Sequence, residues 1–250
     1  MRVRGFVLYW YGRIHSRYMR KRGVFFVIEG TDGSGKTEQF KRLIARLKKE
    51  RVPVATFDFP RYKEPSSYFV RRYLNGAYGG WREVGPYQAS LFYALDRFET
   101  KTDIQKALWQ GKVVIANRYV PSSMGHQGAK IASAKERKKF FKWLSEFEYK
   151  TLGVPSPTLT MVLHVPARTA QKLVDRKGSR EYVKGVRRDL HEADLKHLSQ
   201  AERVYMEIPK LFPRSFTLIE CVRGGKLLTV NEVHEKVWEI VKRTLARRKK

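Results

Sequence analysis

Cysteine is nearly absent. Cys221 stands alone among 250 residues, so no disulfide can close within the chain and no thiolate cluster can hold a metal. Such usage suits a reducing compartment, and a cytoplasmic location is expected. Long apolar runs are missing too. The stretch Gly5 to Ile14 is apolar and aromatic, but it is far shorter than the ~20 residues that cross a bilayer. An Arg/Lys-rich segment without a small-residue cleavage site follows it, which argues against a secretory signal. Asparagine is scarce, at three residues beside a 30% charged content, a balance that leans towards a thermophilic source. No internal repeat, low-complexity segment or linker is visible after residue 22.

Acidic residues are the other shortage: 24 Asp and Glu face 52 Lys and Arg, for a formal charge of +28. The excess is uneven. Residues 1–22 carry seven basic residues and no acid, residues 242–250 carry six and no acid, and further clusters lie at Lys135–Lys142 and Arg176–Arg188. Non-specific binding to nucleic acid or anionic surfaces is therefore expected, more as a side effect than as a purpose. Residues 1–22 read as an extension with three open explanations: a disordered tail, an interfacial or partner-docking segment, or translation from a start upstream of the functional one. Residues 23–250 read as one domain, since 42% hydrophobic residues can fill one large core at this length.

What is present is sharper. Residues Gly30 to Thr37 read Gly-Thr-Asp-Gly-Ser-Gly-Lys-Thr and lie between the apolar run Val24 to Ile28 and a helical pattern that begins at Lys36. This is the spacing of a phosphate-binding loop in its proper context. Gly30, Gly33, Ser34 and Gly35 let backbone N–H groups converge on phosphate oxygens, Lys36 neutralises the outer phosphates, and the Thr37 hydroxyl can ligate magnesium. The positive end of the following helix adds to the attraction.

Strand-like and helix-like patterns alternate to the end of the chain, which predicts an α/β fold with a mostly parallel sheet covered on both faces. Strands are expected at Val24–Glu29, Val52–Phe59, Lys112–Ala116, Thr158–Val165 and Phe216–Val222. One long helix is expected from Pro86 to Gln110, bounded by Pro and Gly111. Ser133 and Glu136 form a capping box for another. A helix is expected from Pro166 to near Gly178, Lys177–Arg188 reads as a basic mobile loop, and further helices are expected at Asp189–Leu211 and at the C-terminus. Ligands of such sheets bind at the carboxyl ends of strands. The Gly30 loop, Phe59-Pro60-Arg61-Tyr62 and Asn117-Arg118-Tyr119 all fall there.

Taken together with Leu91-Phe-Tyr-Ala-Leu-Asp-Arg97, Leu152-Gly-Val-Pro155, Asp189-Leu-His-Glu192 and Tyr205, these motifs make the chain resemble a thymidylate kinase over roughly residues 23–245. The resemblance implies the P-loop nucleoside-monophosphate-kinase fold, with a five-stranded parallel sheet, a homodimer built through helices, and transfer of the ATP γ-phosphoryl group to dTMP with Mg2+. It implies that Lys36 and Thr37 hold the ATP phosphates and magnesium. Asp32, Phe59 and Tyr62 would line the acceptor site, Arg118 would grip its phosphate, and Ser123 and His126 would lie near base and sugar. Arg97 would bond the thymine carbonyl, with Tyr93, one turn earlier on the same helical face, stacking on the base. A basic lid at 176–188 would bring Arg176 and Arg180 over the phosphates, because Ser34 stands where some relatives carry a loop arginine.

Two positions depart from the family's pattern. Asn117 occupies the place of an aspartate that serves magnesium, keeping an oxygen ligand but not its charge, which Asp32 or a neighbouring carboxylate is left to supply. His126 replaces the tyrosine that crowds out a 2′-hydroxyl. These departures keep two alternatives open: a kinase for dUMP or UMP, and a catalytically impaired nucleotide-binding protein with nucleic-acid affinity.

Overall fold

Apolar runs at β1 (Val24–Gly30), β2 (Val54–Asp58), β3 (Val113–Asn117), β4 (Leu159–His164) and β5 (Phe216–Glu220) assemble into one sheet of order β2-β3-β1-β4-β5. Every neighbouring pair is parallel. The computed structural model describes residues 22–175 and 195–249. β1 lies at the centre and is buried along its whole length, as a strand with both faces covered must be. Phe25 and Val27 enter the core on one side of the sheet, Phe26 and Ile28 that on the other.

Helices cover both faces. α1 (Lys36–Lys49) follows β1 and buries Phe40, Leu43 and Leu47, with Ile44 at the margin of the stripe. A 3-10 turn (Pro65–Ser67) and α2 (Tyr68–Leu74) fill the connection after β2, where the sequence patterns had predicted no element. The single helix expected at 86–110 is two: α3 (Pro86–Glu99) and α4 (Lys101–Trp109). The break is local chemistry. Both the amide and the hydroxyl of Thr100 donate to the Arg97 carbonyl, at 3.1 and 2.8 Å, which offers the backbone an alternative to the i→i−4 ladder.

α5 (Val120–Gly128) follows β3, and α6 (Ala134–Ser145) starts at the expected cap, where Ser133 Oγ accepts from the Glu136 amide at 3.4 Å. α6 passes into a π-helical segment, Glu146–Thr151. α7 (Ala167–Asp175), α8 (Leu195–Leu211), the short hairpin of β6 (Val222–Arg223) and β7 (Lys226–Leu227), and α9 (Val230–Lys249) complete the chain. α9 buries Val233, Val237 and Val241, while Ile240 and Leu245 are half-buried. The N-terminal extension before Arg22, the basic lid and the start of the Asp189 helix lie outside the described residues. Among the described residues, no helix is long and apolar enough to cross a membrane.

Candidate active site

The loop between β1 and α1 is held by its own backbone. Gly33 has φ +82°, and a Cβ there would sit 2.1 Å from the Ala170 carbonyl oxygen, so only glycine fits. Lys36 Nζ donates to the Thr31 carbonyl at 2.6 Å, which holds the ammonium against the loop at the start of α1. Gly30 closes β1, Ser34 Oγ is buried behind the loop without a hydrogen-bond partner among the described residues, and Gly35 supplies the N-cap of α1. Thr37 is exposed to the cleft.

At the end of β3 the chain turns through Arg118, whose φ of +64° is rare for a residue with a side chain. Glu29 over-determines that turn. Its buried carboxylate accepts from the Tyr119 amide at 2.8 Å, the Ser122 hydroxyl at 2.9 Å and the Tyr205 hydroxyl at 3.0 Å, so β1, α5 and α8 are tied at one point. The approach of α8 needs Gly125, where a Cβ would stand 2.4 Å from the Tyr205 ring. Strain of this kind persists where surrounding contacts enforce it, and such places are often functional.

Arg118 is thereby aimed across the cleft. One of its nitrogens, Nη2, donates to Asp32 Oδ1, and the other, Nη1, donates to His126 Nε2 at 3.1 Å. Although burial opposes its charge, Asp32 holds the guanidinium well above the usual arginine value. Burial, with Arg118 nearby, pushes His126 well below the usual histidine value, so the ring is neutral. A guanidinium can only donate; His126 Nε2 therefore accepts, and its proton sits on Nδ1, which faces His197 Nε2 at 3.5 Å.

The opposite wall comes from α3. Tyr93 and Arg97 both line the cleft, and Tyr93 meets Tyr73 edge-on at 6.3 Å. Arg97 is 2% exposed and forms a two-pronged pair with Glu148, at 2.6 Å from Nε and 2.6 Å from Nη2. Its Nη2 also donates to Ser123 Oγ at 3.1 Å and its Nη1 to the Tyr119 carbonyl at 3.4 Å. Burial opposes the charge of Arg97, and Glu148 more than restores it. The neighbouring Asp96 also borders the cleft, where it is held by Arg61 and Ser66.

The result is one cleft of about 330 Å3. Asp32, Gly33, Gly35, Lys36, Thr37, Phe59, Tyr62, Tyr93, Arg97, Asn117, Arg118, Ser123 and His126 all line it. Phe59 serves double duty, since it is 4% exposed and packs on Tyr119 at 5.6 Å. Gly30 and Ser34 shape the loop from behind. Arg176 and Arg180 lie outside the described residues. Three residues were missed: Glu29 as an anchor, Glu148 behind Arg97, and Asp58 at the end of β2. Asp58 was legible, because it directly precedes Phe59 at a strand's carboxyl end; Glu148 gave no signal beyond an acid between two aromatic residues.

A magnesium ion carried by a nucleotide fits this donor set. The Thr37 hydroxyl, the Asp58 carboxylate and the buried Asn117 Oδ1, which has no hydrogen-bond partner among the described residues, are hard oxygen donors. No group of three or more His, Cys, Asp or Glu is placed to hold a metal among the described residues.

Comparison with known proteins bears on the same span of sequence. The profile of the family described as Thymidylate kinase matches residues 28–247. The thymidylate kinase of Mycobacterium tuberculosis is 30% identical over 186 residues, which cover 74% of this chain and 85% of that protein. The thymidylate kinase of Symbiobacterium thermophilum is 28% identical over 232 residues, covering 90% of this chain and 95% of the relative. Among solved structures, a thymidylate kinase from Candida albicans superposes with a TM-score of 0.67 at 23% identity, over 89% of this chain and 92% of that one, and shares its fold. The matched span contains the phosphate loop, the Asn117-Arg118-Tyr119 turn and the α3 wall that meet in the cleft: the chain belongs to the thymidylate kinase family.

Proposed function

We propose that this chain transfers the γ-phosphoryl group of ATP to the 5′-phosphate of dTMP, giving ADP and dTDP. The observation that carries this reading is the shared cleft: the phosphate loop with Lys36, Arg118 tied to Asp32 of that loop, and Tyr93 and Arg97 on the α3 wall all line it. Lys36 and the loop amides hold the ATP phosphates, and Arg118, fixed between Asp32 and His126, holds the acceptor phosphate in line with them. A phosphate monoester is largely a dianion at neutral pH, its second pKa being about 6, so its oxygen attacks without a general base. Positioning and charge stabilisation then account for catalysis. Thr37, Asn117 and Asp58 would hold magnesium, which supplies charge neutralisation on the phosphates when bound. Arg176 and Arg180 complete the positive cage in this reading.

The chain works as a homodimer in the same reading. Tyr87, Leu91, Leu95 and Phe98 form an exposed apolar stripe along α3, the helix whose Tyr93, Asp96 and Arg97 line the cleft. Such a stripe is the expected mark of a partner surface. A coupled assay of ADP release across dTMP, dUMP and UMP tests the function: dTMP should give the highest kcat/KM. Equal or greater turnover of UMP would reject dTMP as the acceptor.

A further inference from the structure

The register of β2 on β3 sets Asp58, the last residue of one strand, opposite Asn117, the last residue of the next. Asn117 Nδ2 donates to Asp58 Oδ1 at 2.8 Å. An ionised carboxylate only accepts, so this contact fixes which side of the amide faces Asp58. Asn117 is 6% exposed and its Oδ1 has no hydrogen-bond partner among the described residues. Asp58 is open to the cleft, which the pair lines beside Lys36 and Thr37.

The other carboxylates of the cleft are committed elsewhere. Asp32 accepts from Arg118 and lies 3.9 Å from Lys36 Nζ, and Asp96 holds Arg61 and Ser66. Asp58 has no salt-bridge partner among the described residues. It is therefore the carboxylate with charge to spare at the edge where the phosphate loop ends. We infer that Asp58, acting as a unit with Asn117, is the carboxylate that this chain presents to the magnesium ion of its nucleotide. The Asn117 amide orients that carboxylate from the neighbouring strand. Magnesium keeps several waters when bound, so Asp58 can act through that shell as well as directly. The inference rests on the cleft being an ATP site.

The test is Mn2+ binding, read as loss of the free-ion EPR signal when the full chain is titrated in the presence of ADP. Asp58→Asn should weaken Mn2+ binding about tenfold or more, the scale on which partners of metal ligands act. ADP affinity measured without metal should not fall, because the change removes a negative charge from beside the phosphates, and its retention shows that the variant is folded. The double variant Asp58→Asn/Asn117→Asp places the charge on β3 and should recover most of the lost affinity. Unchanged Mn2+ binding in Asp58→Asn would overturn the assignment, as would a double variant no better than the single one. Because this measurement needs no acceptor, a wild-type chain inactive on dTMP would count against the proposed reaction and not against Asp58.

Discussion

Arg97 shows how much of a site can sit out of view of the sequence. Its spacing from Tyr93 placed both residues on one helical face, and both line the cleft. What the spacing could not reveal is Glu148, which lies 51 positions later in the chain and holds two edges of the guanidinium. Breaking a buried ion pair costs far more than breaking a surface one, because the remaining charge is left without compensation. Glu148→Gln should therefore lower stability by about 3 kcal/mol in a urea melt. It should also raise KM for dTMP while leaving KM for ATP nearly unchanged. Equal effects on both substrates would show that Glu148 does not position Arg97 for the acceptor. His126 makes a second residue-scale prediction, about pH. Its folded value is held well below the unfolded one, near 6.5, by burial and by Arg118. As pH falls through 6.5, the unfolded chain takes up a proton that the folded chain refuses, so stability drops by up to ~1.4 kcal/mol per pH unit from this group. His164, raised against burial by Glu220 and Glu202, acts with the opposite sign: its contribution is present below pH 6.5 and lost as pH rises. A difference measurement separates the two. Melts of wild type and His126→Asn should converge as pH falls from neutrality towards 5.5, and a constant gap would contradict a neutral His126.

At the scale of elements, legibility followed burial. β1, β3 and β4 were readable because each is a short, largely buried apolar run, and the two core sides of β1 follow from alternation along it. The phosphate loop and the Ser133 cap were readable because their chemistry is local. The break at Thr100 and the π turn at Glu146–Thr151 were not. The first depends on which of two acceptors the Thr100 groups choose, and the second accompanies a long-range pairing of Glu148. π turns of this sort recur at functional sites. The exposed stripe of α3 belongs at this scale too. Replacing Leu91 and Leu95, which are 39% and 47% exposed, by Glu should convert a dimer to a monomer in sedimentation velocity without lowering thermal stability in the monomer. A wild-type chain that sediments as a monomer at micromolar concentration would remove the dimer from the proposal.

For the whole molecule, the order β2-β3-β1-β4-β5 does the positioning. It brings the carboxyl ends of β1, β2 and β3 side by side, so that Lys36, Asp58, Asn117 and Arg118 share one edge although they span 82 positions of sequence. Strand-end motifs made that convergence predictable; the tie between β1, α5 and α8 through Glu29 was not, since a buried carboxylate with only neutral donors has no sequence signature. The excess of positive charge suits a protein that brings two polyanions together, and the cleft itself concentrates Lys36, Arg97 and Arg118. All of this converges on direct transfer between two nucleotides held end to end. Phosphorus-31 NMR of the wild-type chain with ATP, magnesium and dTMP reads that event directly. Signals of dTDP and ADP should grow in equal amounts, and neither should appear with Lys36→Ala. Inorganic phosphate appearing in place of dTDP, or no change in the spectrum, would contradict it.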